Sequence, residues 1–520
     1  MEDTLNDPLF EKVRTMRGGI EPLLEKMTLI AGDAIEPDLG LSPADRQKII
    51  EEADIIIHGA ATVRFDVELR RAVLLNVRGT KLVLELGKQC KRLLLFIHIS
   101  TAYCHPHEKL LEEKPYSPPA NPHKIIQIME WMDDATAAAV TPFLLKKQPN
   151  SYAFTKALGE ALVVEALDIM PIGILRPSIV IPIYQEPLPG WTDNINGPTG
   201  LLIGAGKGVI RTMYCKSNSY ADYLPVDVFI NGIMIWCWVF IEQGVHHIKV
   251  IHLTSSAEVK VTWEEMIEAG REIILNRVPL NGVAWYPGGS MKHSRLYHNI
   301  CVLLFHWLPA ILVDCLLWCL RYEPVLCRVQ RRVTKGFEVF EFYTNNQWDF
   351  HSDIGQQYRN DLNPRERLEY KVDASVRRRT TCGWRGRCGR PTPAARTFPA
   401  TRTSSYPVVP PAPSPPPARR PIASSRPHLP RHPHVVLPRR AARTFPATRL
   451  DIKRYFEDCI LAARRYILKE TDDTIPAAKR HMKVMWWVDM LFRICFWALL
   501  LYWISGFSST PTAVPEAISA

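Results

Sequence analysis

The chain has 520 residues, which is enough for two or three domains with a large core. Its formal charge of +11 comes from one block, residues 374–449, which holds 16 arginines and no lysine, aspartate or glutamate. Without that block, 48 basic residues face 53 acidic ones, so the charge does not indicate a nucleic-acid partner, and none is expected. The 12 cysteines form no Cys-x-x-Cys pair, and no secretory signal opens the chain, which predicts reduced thiols in or facing the cytosol.

Short apolar runs alternate with helix-like segments between Lys26 and Ile174, the pattern of an α/β protein with a parallel sheet. The predicted strands are Met27–Ala31, Asp54–His58, Arg92–His98 and Ile172–Leu175. The predicted helices run from the N-cap Ser42 toward Ala53, from Val67 to Gly87 and from Ser151 to Leu167. The sequence therefore predicts a Rossmann-like, doubly wound parallel sheet followed by a mainly helical C-terminal domain.

The regularity fades past Val180, where Gly and Pro residues predict a loop over Gln185–Gly208, and an amphipathic segment follows at Val228–Phe240. Ile300–Leu320 is strongly apolar but is interrupted by one His, one Pro and one Asp, which a lipid-spanning helix tolerates poorly. This run is predicted to be a hydrophobic hairpin or a membrane-facing wall for a substrate. A full membrane span is the alternative.

Residues 374–449 have low complexity. They contain 16 of the 42 prolines, and the nonamer AARTFPATR occurs twice, at Ala394–Arg402 and Ala441–Arg449. Such a composition buries too little apolar surface to offset its ordering entropy, so disorder is predicted. The block is interpreted as an insertion within a domain whose halves flank it. The alternative is an arginine-rich tether to nucleic acid or to an acidic membrane.

Val484–Phe507 has the length of a transmembrane helix, with tryptophans toward both ends. Asp489 and Arg493 lie one helical turn apart and are expected to pair, which lowers the cost of burying them. Basic residues precede the run and suit a cytosolic side. The prediction is a C-terminal membrane anchor, and an interfacial helix is the alternative.

Tyr152 and Lys156 lie one helical turn apart in SYAFTKALGE, so their side chains share one helix face. A tyrosine hydroxyl with a pKa of about 10 is a poor acid or base at neutral pH. A fixed ammonium beside it favours the tyrosinate and brings proton transfer into the working range. Taken alone, this spacing is common by chance, and a solvated helix face is the alternative.

Groups suited to a nucleotide follow three of the predicted strands: Gly59–Ala61 after the second, Ser100 and Thr101 after the third, and Pro177–Val180 after the fourth. Small residues let a flat ring or a ribose approach the backbone, and a hydroxyl can bond a substrate carbonyl. Because the carboxyl ends of parallel strands meet at one edge of a sheet, this order predicts a redox site beside a nicotinamide.

The chain resembles the extended short-chain dehydrogenase/reductase superfamily and, within it, the alcohol-forming fatty acyl-CoA reductases of animals. Six ordered segments carry the resemblance: GDAIEPDLGLS, HGAATVRFDVELRRAVLLNVRGT, HISTAYCH, YAFTKALGE, LRPSIV and ADYLPVDVFIN. It runs from about Asp7 to Asp373 and resumes at Leu450. The segments FEFYTNNQWDFHSD and LDIKRYFEDCILAARRYILKE are similar to that family's C-terminal, male-sterility-type domain.

The resemblance implies a two-step, NADPH-dependent reduction of a long-chain acyl-CoA to a primary alcohol through a bound aldehyde. It implies that Tyr152 protonates the developing oxyanion and that Lys156 lowers the tyrosine pKa and holds the nicotinamide ribose. Thr101, or alternatively Ser100, is the implied third hydroxyl. The implied cofactor contacts are Asp33, Ala34, Ala60, Ala61, Lys156, Pro177, Ser178, Ile179 and Val180. No metal site is expected, and Ile300–Leu320 is expected to wall the acyl channel.

The chain departs from that family at its beginning, where the T-G-x-x-G-x-x-G phosphate turn is not found. A missing N-terminal segment, a weakened NADPH affinity and little or no activity of the chain as written are therefore expected. The alternative function is a non-catalytic, membrane-tethered relative that binds acyl-CoA. Another extended reductase, such as a sugar-nucleotide epimerase or a steroid dehydrogenase, is disfavoured by the C-terminal domain.

The expected domains are a reductase domain at 1–275, the two parts of the C-terminal domain at 290–373 and 450–481, the insertion at 374–449 and the membrane helix at 484–507. The catalytic domain is expected to face the cytosol at the endoplasmic reticulum or the peroxisome. The sequence leaves the acyl length and the oligomeric state open.

Overall fold

The computed structural model describes residues 1–244, 249–255, 259–370 and 451–508. The insertion predicted at 374–449 lies outside these residues. In the part of the chain that is described, the strands are β1 (Ile55–His58), β2 (Leu95–Ile99), β3 (Leu110–Leu111), β4 (Ile172–Pro177), β5 (Ile179–Ile181), β6 (Thr212–Tyr214), β7 (Tyr220–Ala221), β8 (Tyr223–Pro225), β9 (Val250–Leu253), β10 (Val261–Thr262), β11 (Ser290–Lys292) and β12 (Asp349–Phe350).

Helices account for most of the remaining secondary structure. Up to residue 242 they are α1 (Glu2–Leu5), α2 (Glu11–Arg17), α3 (Glu21–Leu24), α4 (Pro43–Glu52), α5 (Leu69–Val73), α6 (Gly79–Gly87), α7 (Pro122–Trp131), α8 (Asp134–Leu145), α9 (Ser151–Glu165), α10 (Pro198–Gly206) and α11 (Val226–Glu242). The later ones are α12 (Trp263–Asn276), α13 (Arg295–Val302), α14 (Leu308–Cys319), α15 (Leu326–Asn345), α16 (Asp353–Asp361), α17 (Pro364–Glu369), α18 (Ile452–Ala462) and α19 (Ile475–Ser508). Short π-helical turns connect α5 to α6 and α13 to α14 and extend α18: Leu74–Arg78, Leu303–Trp307 and Ala463–Ile467.

A four-stranded sheet in the order β1-β2-β4-β9 forms the centre of the fold, and all its pairings are parallel. Alternate residues along each strand point to opposite faces. Phe96 and Ile174 pack into a core with α5, α6 and α9, whereas Ile97 and Leu175 pack into a second core with α11 and α16. Helices therefore cover both faces, which confirms the predicted Rossmann-like α/β sheet.

Three of the four predicted strands are confirmed as β1, β2 and β4, but the strand predicted at Met27–Ala31 is wrong. That segment is irregular, and Leu29 is 70% exposed. A strand needs a ladder partner, and among the described residues β1 pairs with β2 alone. β1 therefore keeps one open edge in the described residues, and the segment at Met27 does not pair with it.

The helix that begins at α4 starts as predicted: the Ser42 hydroxyl accepts from the Asp45 N–H at 3.1 Å, and Pro43 takes the first helical position. The segment from Leu69 to Gly87 is helical throughout, as expected. The predicted loop Gln185–Gly208 was partly wrong, because it contains α10.

The hairpin predicted within Ile300–Leu320 is wrong, because the run lies in one continuous helix, Arg295–Cys319, which packs against α15. The Asp314 carboxylate accepts three backbone N–H groups of the first turn of α15, at 2.7–3.0 Å. His306 Nε2 accepts from the Arg211 N–H at 3.0 Å. His306 and Asp314, two of the residues that interrupt the run, thus accept hydrogen bonds from backbone N–H groups and do not face lipid.

Two helices in the described part of the chain are long and apolar enough to cross a membrane, Arg295–Cys319 and Asp472–Tyr502. Most of their apolar side chains are exposed, among them Leu312, Trp318, Trp487 and Leu499. Arg493 Nε donates to the Asp489 carboxylate at 2.7 Å, so the predicted pair is formed. Asp489 also accepts from Trp285 Nε1 at 2.5 Å and from Arg211 at 3.3 Å, which attaches α19 to the folded body.

Candidate active site

Tyr152 lies in the first turn of α9, and the start of this helix is fixed by a cap. The Asn150 side chain accepts from the Ala153 N–H at 2.9 Å. From there α9 packs on the sheet face that carries Phe96, so its first turns lie at the carboxyl edge of the sheet. Local sequence thus places both Tyr152 and Lys156 beside the ends of β1, β2 and β4.

The predicted trio of hydroxyls and amine is gathered at this edge. The Thr101 hydroxyl lies near the Tyr152 phenol and favours its ionised form. Thr101 Oγ1 also accepts from the Tyr103 N–H at 3.2 Å, which orients the hydroxyl. Lys156 Nζ donates to the Ile99 carbonyl at 2.6 Å, and its side chain is buried. The Tyr152 and Thr101 hydroxyls and the Lys156 ammonium therefore all lie at the carboxyl end of β2.

Burial controls the acidity of both groups on α9. It raises the pKa of Tyr152 to about 12, although the nearby Thr101 hydroxyl acts in the opposite direction. It lowers the pKa of Lys156 to about 8, against the raising effect of the nearby Cys104 and Glu160. The implied lowering of the tyrosine pKa is therefore not seen in this structure, because the ammonium is directed at a backbone carbonyl rather than at the phenol.

Ser100, the alternative third hydroxyl, has a different partner. Its Oγ donates to Glu160 at 2.6 Å, so it points away from Tyr152. Glu160 in turn accepts two bonds from the fully buried Arg176, at 2.6 and 3.0 Å. Of the two predicted hydroxyls, the structure brings only Thr101 to the tyrosine.

Sequence reasoning missed the Glu160–Arg176 pair, although two signals were present. Glu160 follows Tyr152 and Lys156 at the same four-residue spacing, so all three share one face of α9. Arg176 is a charged residue within a buried apolar strand and so requires a partner. Cys104, His105 and Glu160 could supply three metal-ligand atoms, but both Glu160 oxygens already accept from Arg176.

The implied cofactor contacts fall into two groups. Ala60 and Ala61 follow β1 and are exposed and half-buried, respectively, whereas Pro177 ends β4 and Ser178, Ile179 and Val180 follow it at the same edge. Asp33 and Ala34 lie in a turn in which the Asp33 carboxylate accepts the Ile35 N–H at 2.9 Å. The Ala34 carbonyl lies against Gly79 of α6, where an added Cβ would approach it to 3.0 Å.

An aromatic cluster from the C-terminal part of the chain completes one side of the site. Phe65 lies edge-on to Tyr152 with ring centroids 5.2 Å apart, and Tyr343 of α15 stacks on Phe65 at 5.6 Å. The Tyr343 hydroxyl accepts from Asn150 Nδ2 at 3.1 Å. No local pattern in the sequence connects residues so far apart, so this contact was not predicted.

Comparison with known proteins agrees with this geometry. Two family models described as "Male sterility protein" match the chain, an NAD-binding one over residues 1–233 and one called Sterile over residues 305–378. "Fatty acyl-CoA reductase 1" of Homo sapiens is 35% identical over 373 residues, covering 72% of this chain and 72% of the relative. The chain belongs to the fatty acyl-CoA reductase family. "Fatty acyl-CoA reductase wat" of Drosophila melanogaster is 32% identical, covering 72% of this chain and 71% of the relative.

The two regions that the family models match meet at the candidate site. Tyr152 and Thr101 belong to the NAD-binding region, whereas Tyr343 belongs to the Sterile region. Among solved structures, the terminal R domain from a myxalamid biosynthetic pathway is 18% identical, with a TM-score of 0.44, covering 70% of this chain and 76% of that one.

Proposed function

We propose that this chain reduces a long-chain fatty acyl-CoA to a primary fatty alcohol with NADPH as the reductant. The observation that supports this most directly is the placement of the Tyr152 phenol, the Thr101 hydroxyl and the Lys156 ammonium at one edge of the sheet. Acyl-CoA as the substrate comes from the names of the relatives. NADPH rather than NADH comes from the sequence resemblance.

The residues at the sheet edge fit the nicotinamide and ribose half of such a cofactor. The Ser178 hydroxyl is buried and has no hydrogen-bond partner among the described residues, so it is available to a ligand. Ala60 and Ala61 leave room for a ribose, and Lys156 carries the ammonium that would hold the ribose hydroxyls. NADPH, when bound there, supplies the hydride for each of the two reductions.

The chain's own residues handle the proton and the negative charge. Each reduction places charge on the substrate carbonyl oxygen, where Tyr152 donates a proton or a hydrogen bond. Thr101 holds the phenol in position and stabilises the tyrosinate that remains. Lys156, one turn along, favours that anion once its ammonium is turned toward the phenol. The thioester step releases CoA and gives an aldehyde, and the second step gives the alcohol.

Attachment to a membrane through α19 forms part of the proposal. Lys479, Arg480 and Lys483 precede its apolar portion, which suits a cytosolic side. The exposed apolar residues beyond Asp489 are what a bilayer would cover. Flotation of the chain with phosphatidylcholine vesicles tests the attachment, and cell fractionation decides between endoplasmic reticulum and peroxisome.

The activity is tested by following the oxidation of NADPH, and of NADH in parallel, with palmitoyl-CoA, and by identifying the product. Both cofactors are supplied in the millimolar range, so that a low affinity does not hide turnover. Tyr152→Phe should abolish turnover, whereas Tyr322→Phe, an exposed tyrosine, should not. Palmitoyl-CoA binding without any reduction would instead favour the non-catalytic acyl-CoA-binding relative.

A further inference from the structure

An open apolar pocket lies beside the strands β5 and β8, with about 1770 Å³ of empty space, part of it continuous with solvent. We propose that this pocket receives the acyl chain of the thioester substrate and limits its length. The inference rests on the proposed function, because it names the binding site of that function's substrate. It also replaces the expectation that Ile300–Leu320 forms the channel wall.

Three helices and the strands form the wall, and their side chains suit a hydrocarbon. The lining includes Leu202 and Ala205 of α10, Met266 and Ile267 of α12, Tyr455 of α18 and Ala463 just beyond it. Ligand pockets are mostly apolar, with a few placed polar groups. Burial of apolar area is what binds a methylene chain.

The pocket connects to the reaction site through β5. This strand begins at Ile179, next to Ser178 at the sheet edge, and ends at Ile181, which lines the pocket. Because a strand rises about 3.3 Å per residue, Ile181 lies only about 10 Å along the strand from Ser178. Ser255, two residues beyond the end of β9, also lines the pocket. A thioester carbonyl held near Tyr152 can therefore send its chain along β5 into the pocket.

Helix α18 is an integral wall of the pocket, although it follows the insertion in sequence. Its Lys453 and Glu457 pair with Glu272 and Arg277 of α12, at 2.6 and 2.7 Å. Ile460 packs with residues of α12 in a buried cluster. The C-terminal segment thus contributes directly to the acyl site.

The described residues 300–320 provide no part of this lining. Their apolar side chains point outward, with Leu312 62% and Trp318 71% exposed. A chain bound there would lie at the surface. The pocket beside β5 and β8 removes more apolar area from water than this surface does, so it binds a long acyl chain better.

Photo-crosslinking tests the site without requiring turnover. The full chain in phosphatidylcholine nanodiscs is incubated with palmitoyl-CoA carrying a diazirine at its terminal carbon, irradiated and mapped by mass spectrometry. We expect labels on α10, α12 and residues 452–463, suppressed by unlabelled palmitoyl-CoA. Labels concentrated on Arg295–Cys319, or labels that palmitoyl-CoA does not compete away, would overturn the proposal.

Two variants that fill the pocket from different walls test the length limit. Ala463→Leu and Ala205→Leu should each weaken palmitoyl-CoA binding relative to octanoyl-CoA by about tenfold, the effect of expelling roughly two methylenes. Ala462→Leu adds the same bulk at the neighbouring position, which is equally buried but does not line the pocket, and should leave the ratio unchanged. An equal change in all three ratios, or no change in the first two, would refute the assignment.

The proposed reductase activity and the proposed acyl site can be refuted independently of each other. If palmitoyl-CoA competes with labelling of the pocket but NADPH is not oxidised, the acyl site is supported and the proposed reductase activity is refuted. If palmitoyl-CoA is reduced but the labels lie outside the pocket, the reductase activity is supported and the proposed acyl site is refuted.

Discussion

The ring of Tyr343 stacks on the ring of Phe65, with centroids 5.6 Å apart and an interplanar angle of 25°. Phe65 lies in turn edge-on to Tyr152. One ring, that of Phe65, therefore lies between Tyr343 of the Sterile region and Tyr152. Tyr103, two residues from Thr101, also lies edge-on to Tyr343, at 5.8 Å. The same side chain thus supports both members of the hydroxyl pair.

Tyr343→Ala should lower kcat/KM by a factor of about 2 to 10, since an aromatic pair contributes about 0.5–1.5 kcal/mol beyond its area. Tyr343→Phe, which loses only the bond from Asn150, should have a smaller effect. Steady-state kinetics and a thermal melt are measured together. Phe337→Ala on the same helix, against His298 rather than Tyr152, is the control. Equal losses of kcat/KM in Tyr343→Ala and Phe337→Ala would contradict a specific role.

Sequence predicted the parts of the site that depend on local order. The positions of β1, β2 and β4, the start of α9 at Ser151 and the four-residue spacing of Tyr152 and Lys156 are short-range features, and the structure has all of them. The contacts of Tyr343 and α18 depend on which distant segments pack together, which periodicity does not encode. The apolar run at Met27 was mistaken for a strand because composition does not show whether a neighbouring strand exists.

Glu160→Gln should destabilise the fold by about 3–5 kcal/mol, because it leaves the fully buried Arg176 charge without its counter-ion. The loss is measured by urea denaturation at pH 7. Glu51→Gln, which removes an exposed pair with Lys91, should cost no more than about 1 kcal/mol. Similar losses in the two variants would show that the buried pair has no special role.

The same pair predicts how stability depends on acid. Burial raises the pKa of Glu160, but the facing charge of Arg176 outweighs it and holds the pKa well below the usual value. In the acid range the unfolded state therefore binds more protons than the folded state. The stabilisation from the ionised Glu160 is fully present above the pKa that Glu160 has in the unfolded state, and it is lost as the pH falls through the lower pKa that it has in the folded state. Glu160→Gln should remove this part of the acid sensitivity. An unchanged profile would contradict the assignment.

Thr101→Ala should reduce kcat by about 10²-fold or more, the range seen when a positioned hydrogen-bonding group is lost from a reaction site. Ser100→Ala should mainly reduce stability, because it removes a donor from Glu160 rather than from Tyr152. Kinetics and melts on both variants check this. A larger loss of kcat in Ser100→Ala than in Thr101→Ala would reverse the roles of the two hydroxyls.

The pKa of Lys156, lowered by burial to about 8, predicts an alkaline limit to activity. Below this pH the side chain is an ammonium, and above it the charge that favours the tyrosinate is lost. The pH profile of kcat/KM should therefore decline above about pH 8. Lys156→Arg keeps a charge at all accessible pH values, so it should be less active but should lose this decline. The same decline in Lys156→Arg would assign it to another group.

Asp489 connects α19 to the folded body, since its buried carboxylate accepts from both Trp285 and Arg211. Asp489→Ala leaves these donors without an acceptor, at a cost of about 1–3 kcal/mol for each buried group. We expect a lower melting temperature and faster proteolysis just before α19, while flotation with vesicles is retained because the apolar residues beyond Asp489 are intact. Asp489→Asn, which keeps an acceptor oxygen, should lose less. Loss of flotation in Asp489→Ala, with an unchanged melt, would show instead that Asp489 serves the membrane contact and not the attachment of α19.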